Sequence, residues 1–453
     1  MSEWKKVKIG DICKIVKGTT GIASAEPGQY PLVVTAEERK TCSTYQFDCE
    51  AVCIPLVSSS GHGKKSLKNV HYQSGKFALG TILCAVIPNN PQELDARYLH
   101  QYLQFYKDII LVPLMKGAAN VSLSMKDIAT VEFPLPPIER QRELSNLFVS
   151  LLEKQKELSA EYEKQTEYAK LLRQNILQQA IEGKLTADWR KQNPVQKGNP
   201  DYDAEALFEQ IQKEKYHTDS ILLTQNQDKK KKGKSLDFPN PCDNEEKPFA
   251  IPDGWKWVRL GEIIDSIVYG TSEKCSYDDR QNSAILRIPN ISSGIIDATD
   301  LKYTNLSKTE KNELSLREND VLVIRSNGSP EIVGKMVNVP KDYENYCYAG
   351  YLIRLRFTIP EIGLFIAKIS SANNLRKQIE DPLRTTVGIN NINSDEIKAL
   401  RFPLPPLAEQ KEIVKQVEKN LQTVSDLENQ ITEREELTKQ LMQSILKDAF
   451  EEN

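Results

Sequence analysis

The sequence predicts a mixed α/β (α+β) fold class: a tandem duplication of a mixed α/β domain followed by a long α-helix, the two helices pairing as an antiparallel coiled coil. Three observations predict it. A Trp-to-Gly start, Trp4-Lys-Lys-Val-Lys-Ile-Gly10-Asp-Ile12, returns as Trp255-Lys-Trp-Val-Arg-Leu-Gly261-Glu-Ile263. A proline punctuation, Phe133-Pro-Leu-Pro-Pro-Ile138, returns as Phe402-Pro-Leu-Pro-Pro-Leu407. Behind each punctuation runs a heptad pattern that aligns without a gap, Leu144 with Ile413, Leu158 with Leu427 and Ile176 with Ile445. A repeat this long is a duplication of whole domains rather than a solenoid.

Between the repeated ends, both copies read as many short strands. Pro31–Thr35, Ala51–Val57 and Phe77–Ile87 are the strand candidates of the first copy, and Asp320–Ile324 and Tyr351–Phe357 those of the second. β-branched and aromatic residues between Gly, Pro, Asn and Ser clusters carry that reading. The contents of the two copies are otherwise hardly alike.

Pro136-Pro137 and Pro405-Pro406 close a strand and open a helix, because proline supplies the backbone angle of a first helical turn, where its missing N–H is not needed. Apolar positions then step by four and three. The predicted seam is Leu144, Phe148, Leu151, Leu158, Tyr162, Leu172 and Ile176 on the first helix, and Ile413, Val417, Val424, Leu427, Ile431, Leu441 and Ile445 on the second. Gln155, Gln165, Asn420 and Arg434 are its polar positions and would set register. In a duplicated chain a pseudo-twofold arrangement makes such a pair antiparallel. Two separate coiled coils, each seeking its own partner, are the alternative.

The expected division is a first variable domain over 1–137, a long helix over 138–190, a linker over 191–250, a second variable domain over 251–406 and a last long helix over 407–453. The linker holds a short amphipathic stretch, Ala204 to Lys215, and the run Lys229 to Lys232 with Lys234. Such a run is either a solvated linker or an arm that touches phosphate.

The chain reads as non-catalytic. The nearest approach to a phosphate-binding loop, Gly328 to Met336, has one residue too many between its glycines and Met in place of Ser or Thr. There is no G-x-G-x-x-G and no amino-methyltransferase tetrapeptide. Cys42, Cys49, Cys53 and His62 lie near one another, but without a C-x-x-C pair they read as core cysteines rather than as a metal site. No run of about 18 apolar residues suggests a membrane span, and the N-terminus lacks the apolar stretch of a signal peptide. Eight scattered cysteines fit a reducing cytoplasm.

The polar loops of the variable domains carry groups suited to phosphates and base edges. In the first domain the candidates are Lys17, Thr19, Thr20, Ser59, Ser60, His62, Lys64, Lys65 and Lys116; in the second they are Arg325, Ser326, Asn327, Lys335, Arg384, Thr385, Thr386 and Asn390. Arg suits guanine and Asn suits adenine in the major groove, while Lys, Ser and Thr favour phosphate. Each loop is also an ordinary turn by composition.

On the duplicated Trp-to-Gly starts, the Phe-Pro-Leu-Pro-Pro elements with Glu409-Gln410, the segment Glu182-Gly-Lys-Leu-Thr186-Ala-Asp-Trp189-Arg190 and the paired heptads, the whole chain resembles the DNA-specificity (S) subunits of type I restriction–modification enzymes. The first copy departs slightly, with Arg140-Gln141 in place of Glu409-Gln410. The resemblance implies two target-recognition domains that read the halves of a split double-stranded DNA target, with the helices as a ruler for the spacer. It also implies two methyltransferase (M) subunits and restriction (R) subunits as partners. S-adenosylmethionine, ATP and Mg would belong to those partners, with no cofactor on this chain. The alternatives are a coiled-coil scaffold whose variable domains bind protein, an enzyme in its own right, and an S-like subunit of a methylation-only or other phage-defence system.

The net charge of −3 conceals an uneven distribution. Residues 1–138 carry +3, residues 251–406 carry 0 and residues 407–453 carry −5. The variable domains are neutral to mildly basic, so the chain alone is expected to hold DNA weakly and to depend on its partners for phosphate grip.

Overall fold

A computed structural model describes residues 4–60, 63–118, 120–225, 247–381, 384–386 and 389–451. The chain forms two compact units: Met1–Lys164 with Ile431–Asn453, and Gln165–Gln430. Among the described residues no helix is long and apolar enough to cross a membrane.

In the first unit the two repeated sequence elements meet. Strand Lys5–Lys8 pairs antiparallel with Glu132–Leu135, Val7 opposite Phe133. An antiparallel sheet follows in the order Cys13–Lys17, Leu83–Pro88, Ala51–Pro55, His71–Gln73. A second sheet runs Lys40–Cys42, Tyr30–Val33, Lys76–Leu79, Phe47–Asp48. The expected single strand Phe77–Ile87 is therefore two strands in two sheets. Gly80 makes the break: its carbonyl accepts the N–H of Leu83 at 2.9 Å, which turns the chain from one sheet into the other. Helix Ala96–Ile110 is capped by Asp95, whose carboxylate accepts from the N–H groups of Arg97 and Tyr98.

The second unit repeats this frame. Lys256–Arg259 pairs with Arg401–Leu404, Val258 opposite Phe402. The sheet order is Ile264–Tyr269, Leu352–Phe357, Val321–Ile324, Met336–Asn338, again antiparallel throughout. Two smaller sheets flank it. One places Ser283–Leu286 between Lys302–Thr304 and Cys347–Tyr348, and the other places Ile389–Asn391 between Ser326–Asn327 and Arg384–Thr386. The stretch from Ala204 is a longer helix than expected, Ala204–Gln225. Its Leu207 and Ile211 enter the core with Leu177, Ala180, Ile181, Trp255, Ile413 and Val417. The lysine run at 229–234 lies outside the described residues.

The long helices are Ile138–Ile181 and Leu407–Glu451. Gln141 and Gln410, both buried, fasten the two helix starts in the same way: each side-chain amide donates to a proline carbonyl, Pro136 and Pro405, at 2.8 Å. The helices run antiparallel. In the first unit Phe148 and Phe450 lie with their ring centroids 6.3 Å apart, and the Tyr162 and Thr438 hydroxyls share a hydrogen bond of 2.9 Å. Phe450 is 2% exposed and packs on Tyr98, Tyr102, Phe105 and Tyr106. In the second unit Ala169 and Ile176 pack with Val424, and Arg173 pairs with Glu428 at 2.9 Å.

Part of the predicted seam is shifted by one residue. Leu172, Leu427 and Leu441 are exposed by 42%, 42% and 61%. Arg434, expected at a polar seam position, is exposed as well. Arg173, Glu428 and Met442 take the inward places instead. At Leu441 and Met442 two apolar residues are adjacent, and a helix can aim only one of them at its partner; at Leu172 and Leu427 the cross-helix ion pair of their neighbours Arg173 and Glu428 takes the place of an apolar contact. Period alone does not choose between them. The other predicted positions Leu144, Phe148, Ile176, Ile413, Val417 and Val424 are buried, and Leu151, Leu158, Tyr162, Ile431 and Ile445 are half-buried.

Candidate nucleic-acid interface

In each unit the antiparallel sheet brings three chain ends to one edge. In the second unit strand Ile264–Tyr269 runs out into Gly270-Thr271-Ser272, strand Val321–Ile324 runs out into Arg325-Ser326, and Ala349-Gly350-Tyr351 leads into Leu352–Phe357. In the first unit the corresponding segments are Gly18-Thr19-Thr20, Leu56 to Ser59, and Gly80-Thr81-Ile82.

One backbone hydrogen-bond frame holds both edges. Gly270 N–H donates to Leu352 O at 3.1 Å, as Gly18 does to Leu83 at 2.9 Å. Thr271 donates to Tyr348 at 2.9 Å, and Thr20 to Leu79 at 3.1 Å. Gly350 donates back to Thr271 at 2.7 Å, and Thr81 to Thr20 at 3.1 Å. Arg325 donates to Tyr351 at 3.0 Å, and Leu56 to Ile82 at 2.8 Å. Ile392 donates to Arg325, and Leu123 to Leu56, each at 2.9 Å. A side chain at either glycine would strike this frame. A Cβ on Gly270 would lie 2.3 Å from Ala349 O, and one on Gly18 would lie 2.2 Å from Gly80 O. The frame is thus common to both halves, while the side chains that it presents differ: Arg325 and Tyr351 stand where the first half has Leu56 and Ile82.

The edge of the second unit encloses an open recess of about 630 Å³ whose lining includes Thr271, Glu273, Arg287, Lys302, Arg325 and Tyr351. The Arg325 guanidinium lies over the Tyr269 ring, 4.8 Å from its centroid. The Tyr269 hydroxyl in turn accepts the Ser394 N–H at 3.0 Å, which fixes the ring. Arg287 is held by Asp300 at 2.7 Å, and Lys302 sits 4.8 Å from the Tyr277 ring centroid. Cations on aromatic faces are attracted by the ring quadrupole and keep their N–H groups available.

The residues expected from sequence are distributed as follows. Arg325 and Ser326 line the recess. Asn390 is buried, and its amide donates to Gly328 O at 3.1 Å, so it holds the loop rather than facing solvent. Asn327 accepts the Ser329 N–H at 2.9 Å and stabilises a turn. Lys335 is half-buried and donates to Ser292 O at 2.6 Å, tying two segments together. Arg384, Thr385 and Thr386 form a strand next to Ile389–Asn391; their side chains lie outside the described residues.

In the first unit Lys17 and Thr19 are exposed at the edge and Thr20 is half-buried. Lys64 and Lys65 are exposed beyond Ser58, and His62 lies outside the described residues. Ser59 and Ser60 are used internally: Ser59 Oγ accepts the Lys68 N–H at 2.9 Å, and the Ser60 and Ser66 hydroxyls bond at 2.7 Å. Lys116 forms an ion pair with Asp127 at 3.0 Å. That ion pair, with a hydrogen bond from Ser124, holds the Asp127 carboxyl below the usual carboxylate range, the Ser124 bond contributing most.

Thr271, Glu273, Arg287, Lys302 and Tyr351 were not singled out from sequence. Gln46 also escaped notice; its side chain brackets the Lys17–Thr19 loop by accepting Thr19 N–H at 3.0 Å and donating to Lys17 O at 2.9 Å. Aligning Gly18 with Gly270, each directly beyond its first sheet strand, would have pointed to Thr271.

Five of the described cysteines are core residues, while Cys49 and Cys275 are half-buried. Cys13, Cys42, Cys53, Cys84 and Cys347 are buried, and among the described residues no cluster of His, Cys, Asp or Glu could hold a metal ion. Burial pushes the Cys13 and Cys84 thiols up to about 12, which keeps them protonated and unreactive.

Comparison with known proteins agrees with this frame. The family model for the type I restriction modification DNA specificity domain matches residues 1–167 and 252–437. The type I restriction enzyme EcoKI specificity subunit of Escherichia coli (strain K12) is 26% identical over 338 residues, 74% of this chain and 61% of that protein. The StySPI specificity subunit of Salmonella potsdam is 32% identical over 200 residues, 44% of this chain and 42% of that protein. The match thus spans less than two thirds of either relative. The EcoDI specificity subunit of Escherichia coli is 24% identical over 99% of this chain and 88% of its own length. Two solved structures share the fold at 17% identity. One is a chain from a structure of complex assembly and conformational transition of the type I R-M system (TM-score 0.63, covering 100% of this chain and 98% of that one). The other is the HsdS subunit of Thermoanaerobacter tengcongensis (TM-score 0.55, covering 99% and 97%).

Proposed function

We propose that this chain, which belongs to the type I restriction modification DNA specificity domain family, is the sequence-reading subunit of a type I restriction–modification complex. It reads a split double-stranded DNA target, one half through residues 1–137 and the other through residues 251–406. It directs methyltransferase and restriction subunits to that target and performs no chemistry of its own. S-adenosylmethionine, ATP and Mg belong to those partners.

One observation carries this reading. The same hydrogen-bonded edge occurs in both halves, with Arg325 and Tyr351 in one at the places of Leu56 and Ile82 in the other. Two copies of one frame with different contents suit two different half-sites. A scaffold that bound one kind of protein partner twice would need like contents on both edges. The long helices belong to both units, and we assign to them the spacing of the half-sites, as dimer geometry does for two-fold DNA binders.

The test is single-molecule sequencing of DNA from cells that express this chain with its methyltransferase partner. A split methylated motif is expected, and a continuous motif would overturn the reading. Removing one heptad from each long helix is expected to change the spacer or abolish methylation; an unaltered spacer would remove the spacing role.

A further inference from the structure

We infer that Arg325 reads a guanine in one half of the DNA target, an inference that rests on the function just proposed. Arg325 is the first residue beyond the buried strand Val321–Ile324, so a rigid element aims it. Its backbone is fixed on both sides, by Tyr351 O and by Ile392 N–H. Its guanidinium is laid on the Tyr269 ring, and that ring is itself held by Ser394. Among the described residues no acidic side chain pairs with it; its Nε is buried without a hydrogen-bond partner, as is that of Arg287, so the fork it offers a ligand is its Nη pair. The other arginine of the recess, Arg287, is by contrast occupied by Asp300.

A planar fork that is fixed in place, charged and without an acidic partner suits one edge best. Guanine offers two acceptors, N7 and O6, side by side in the major groove, and bidentate Arg is the commonest specific contact to it. A phosphate is the competing occupant. Although Lys302 also lines the recess, Arg287 there is held by Asp300, and the exposed Glu273 carboxylate would repel phosphate oxygens, which argues against it. A carboxylate is instead the acceptor that suits the amino group of cytosine, the partner of guanine. The first half has Leu56 at the place of Arg325, so the contact belongs to the second half alone.

The experiment compares methylomes from complexes containing the unaltered chain, Arg325→Ala or Arg325→Lys, each first shown to co-purify with the methyltransferase subunit. Arg325→Lys keeps the charge and stem but loses the fork, so it serves where the alanine variant does not assemble. Both variants are expected to relax one G·C position in one half of the motif. Discrimination there should fall by about 10- to 100-fold, with the other half unchanged. Methylation that falls equally at every site with an unaltered motif would identify a phosphate contact and overturn the inference, as would a motif untouched by either variant. A continuous motif with the unaltered chain would instead remove the function on which the inference rests.

Discussion

The carboxylate of Glu409 accepts the indole N–H of Trp255 at 2.7 Å in a buried position. It also accepts from the Thr186 hydroxyl at 2.6 Å and from Arg190 at 2.5 Å. Arg190 returns to Gly183 O at 2.6 Å, closing the turn that ends the first long helix. One side chain thus joins the start of the second long helix to the segment that follows the first long helix and to the first residues of the second variable domain. Glu409→Ala leaves the buried Trp255 indole N–H without its acceptor and the half-buried Arg190 guanidinium without its carboxylate, and is expected to cost about 3 kcal/mol. Urea unfolding followed by tryptophan fluorescence reads this. The aligned residue of the first half, Arg140, makes an exposed ion pair with Glu143, so Arg140→Ala should change stability by less than about 1 kcal/mol. Equal losses for the two substitutions would show that the buried network has no special role.

The shifted seam separates neighbours on one helix. Met442 is buried and Leu441 beside it is exposed, so Met442→Ala should cost about 2–5 kcal/mol and Leu441→Ala about 0.5 kcal/mol or less. The strict heptad reading demands the reverse order. Thermal or urea denaturation of the two variants decides between them.

The close approach at Gly270 sets a further expectation. Gly270→Ala forces a methyl against the Ala349 carbonyl and should destabilise by about 1–3 kcal/mol. The same shift moves Thr271 and the chain leading to Tyr351, so motif recognition should weaken in one half-site only. Methylome sequencing of a complex carrying this variant reads that effect, and equal weakening of both halves would contradict it.

His71 gives the first unit a pH dependence. Its imidazole is buried, with Arg39 3.1 Å from Nδ1. Burial first, then the Arg39 and His100 charges, depress its pKa from 6.5 to about 4. The unfolded chain therefore takes up the proton first. This contribution to stability is complete above about pH 6.5 and is lost as pH falls toward 4, with a size on the order of 3 kcal/mol. Denaturant midpoints at pH 7 and pH 4.5 should converge for His71→Phe relative to the unaltered chain. An unchanged pH difference would mean that His71 is not the group responsible.

Much of the fold was legible because repetition is a signal that needs no packing. The Trp-to-Gly starts, the proline punctuations and the long helices all follow from local chemistry and from comparing the chain with itself. The strand break at Gly80 was not legible, since Phe77 to Ile87 is apolar almost throughout and two buried strands in succession look like one. Among the candidate residues, Arg325 was legible as a residue of the sheet edge because an Arg directly after an apolar strand is conspicuous. Asn390 carried the same polar signal, yet its partner at Gly328 is distant in sequence, and only folding turned it inward. Ser59 and Ser60 are exposed yet also bonded within their own loop, and a hydroxyl in a sequence does not disclose such a partner.

Heptads, prolines and repeats are properties of the chain in order, and they settle that this protein is a duplicated pair of mixed domains on antiparallel helices. Which of two neighbouring residues faces the seam, and which loops share an edge, is fixed on folding. The selection of Arg173 and Glu428 over Leu172 and Leu427 depends on what stands opposite on the partner helix. The gathering of Thr271, Arg325 and Tyr351 depends on backbone bonds between segments some 25 to 80 residues apart along the chain. Both are long-range facts, and a local pattern cannot contain them.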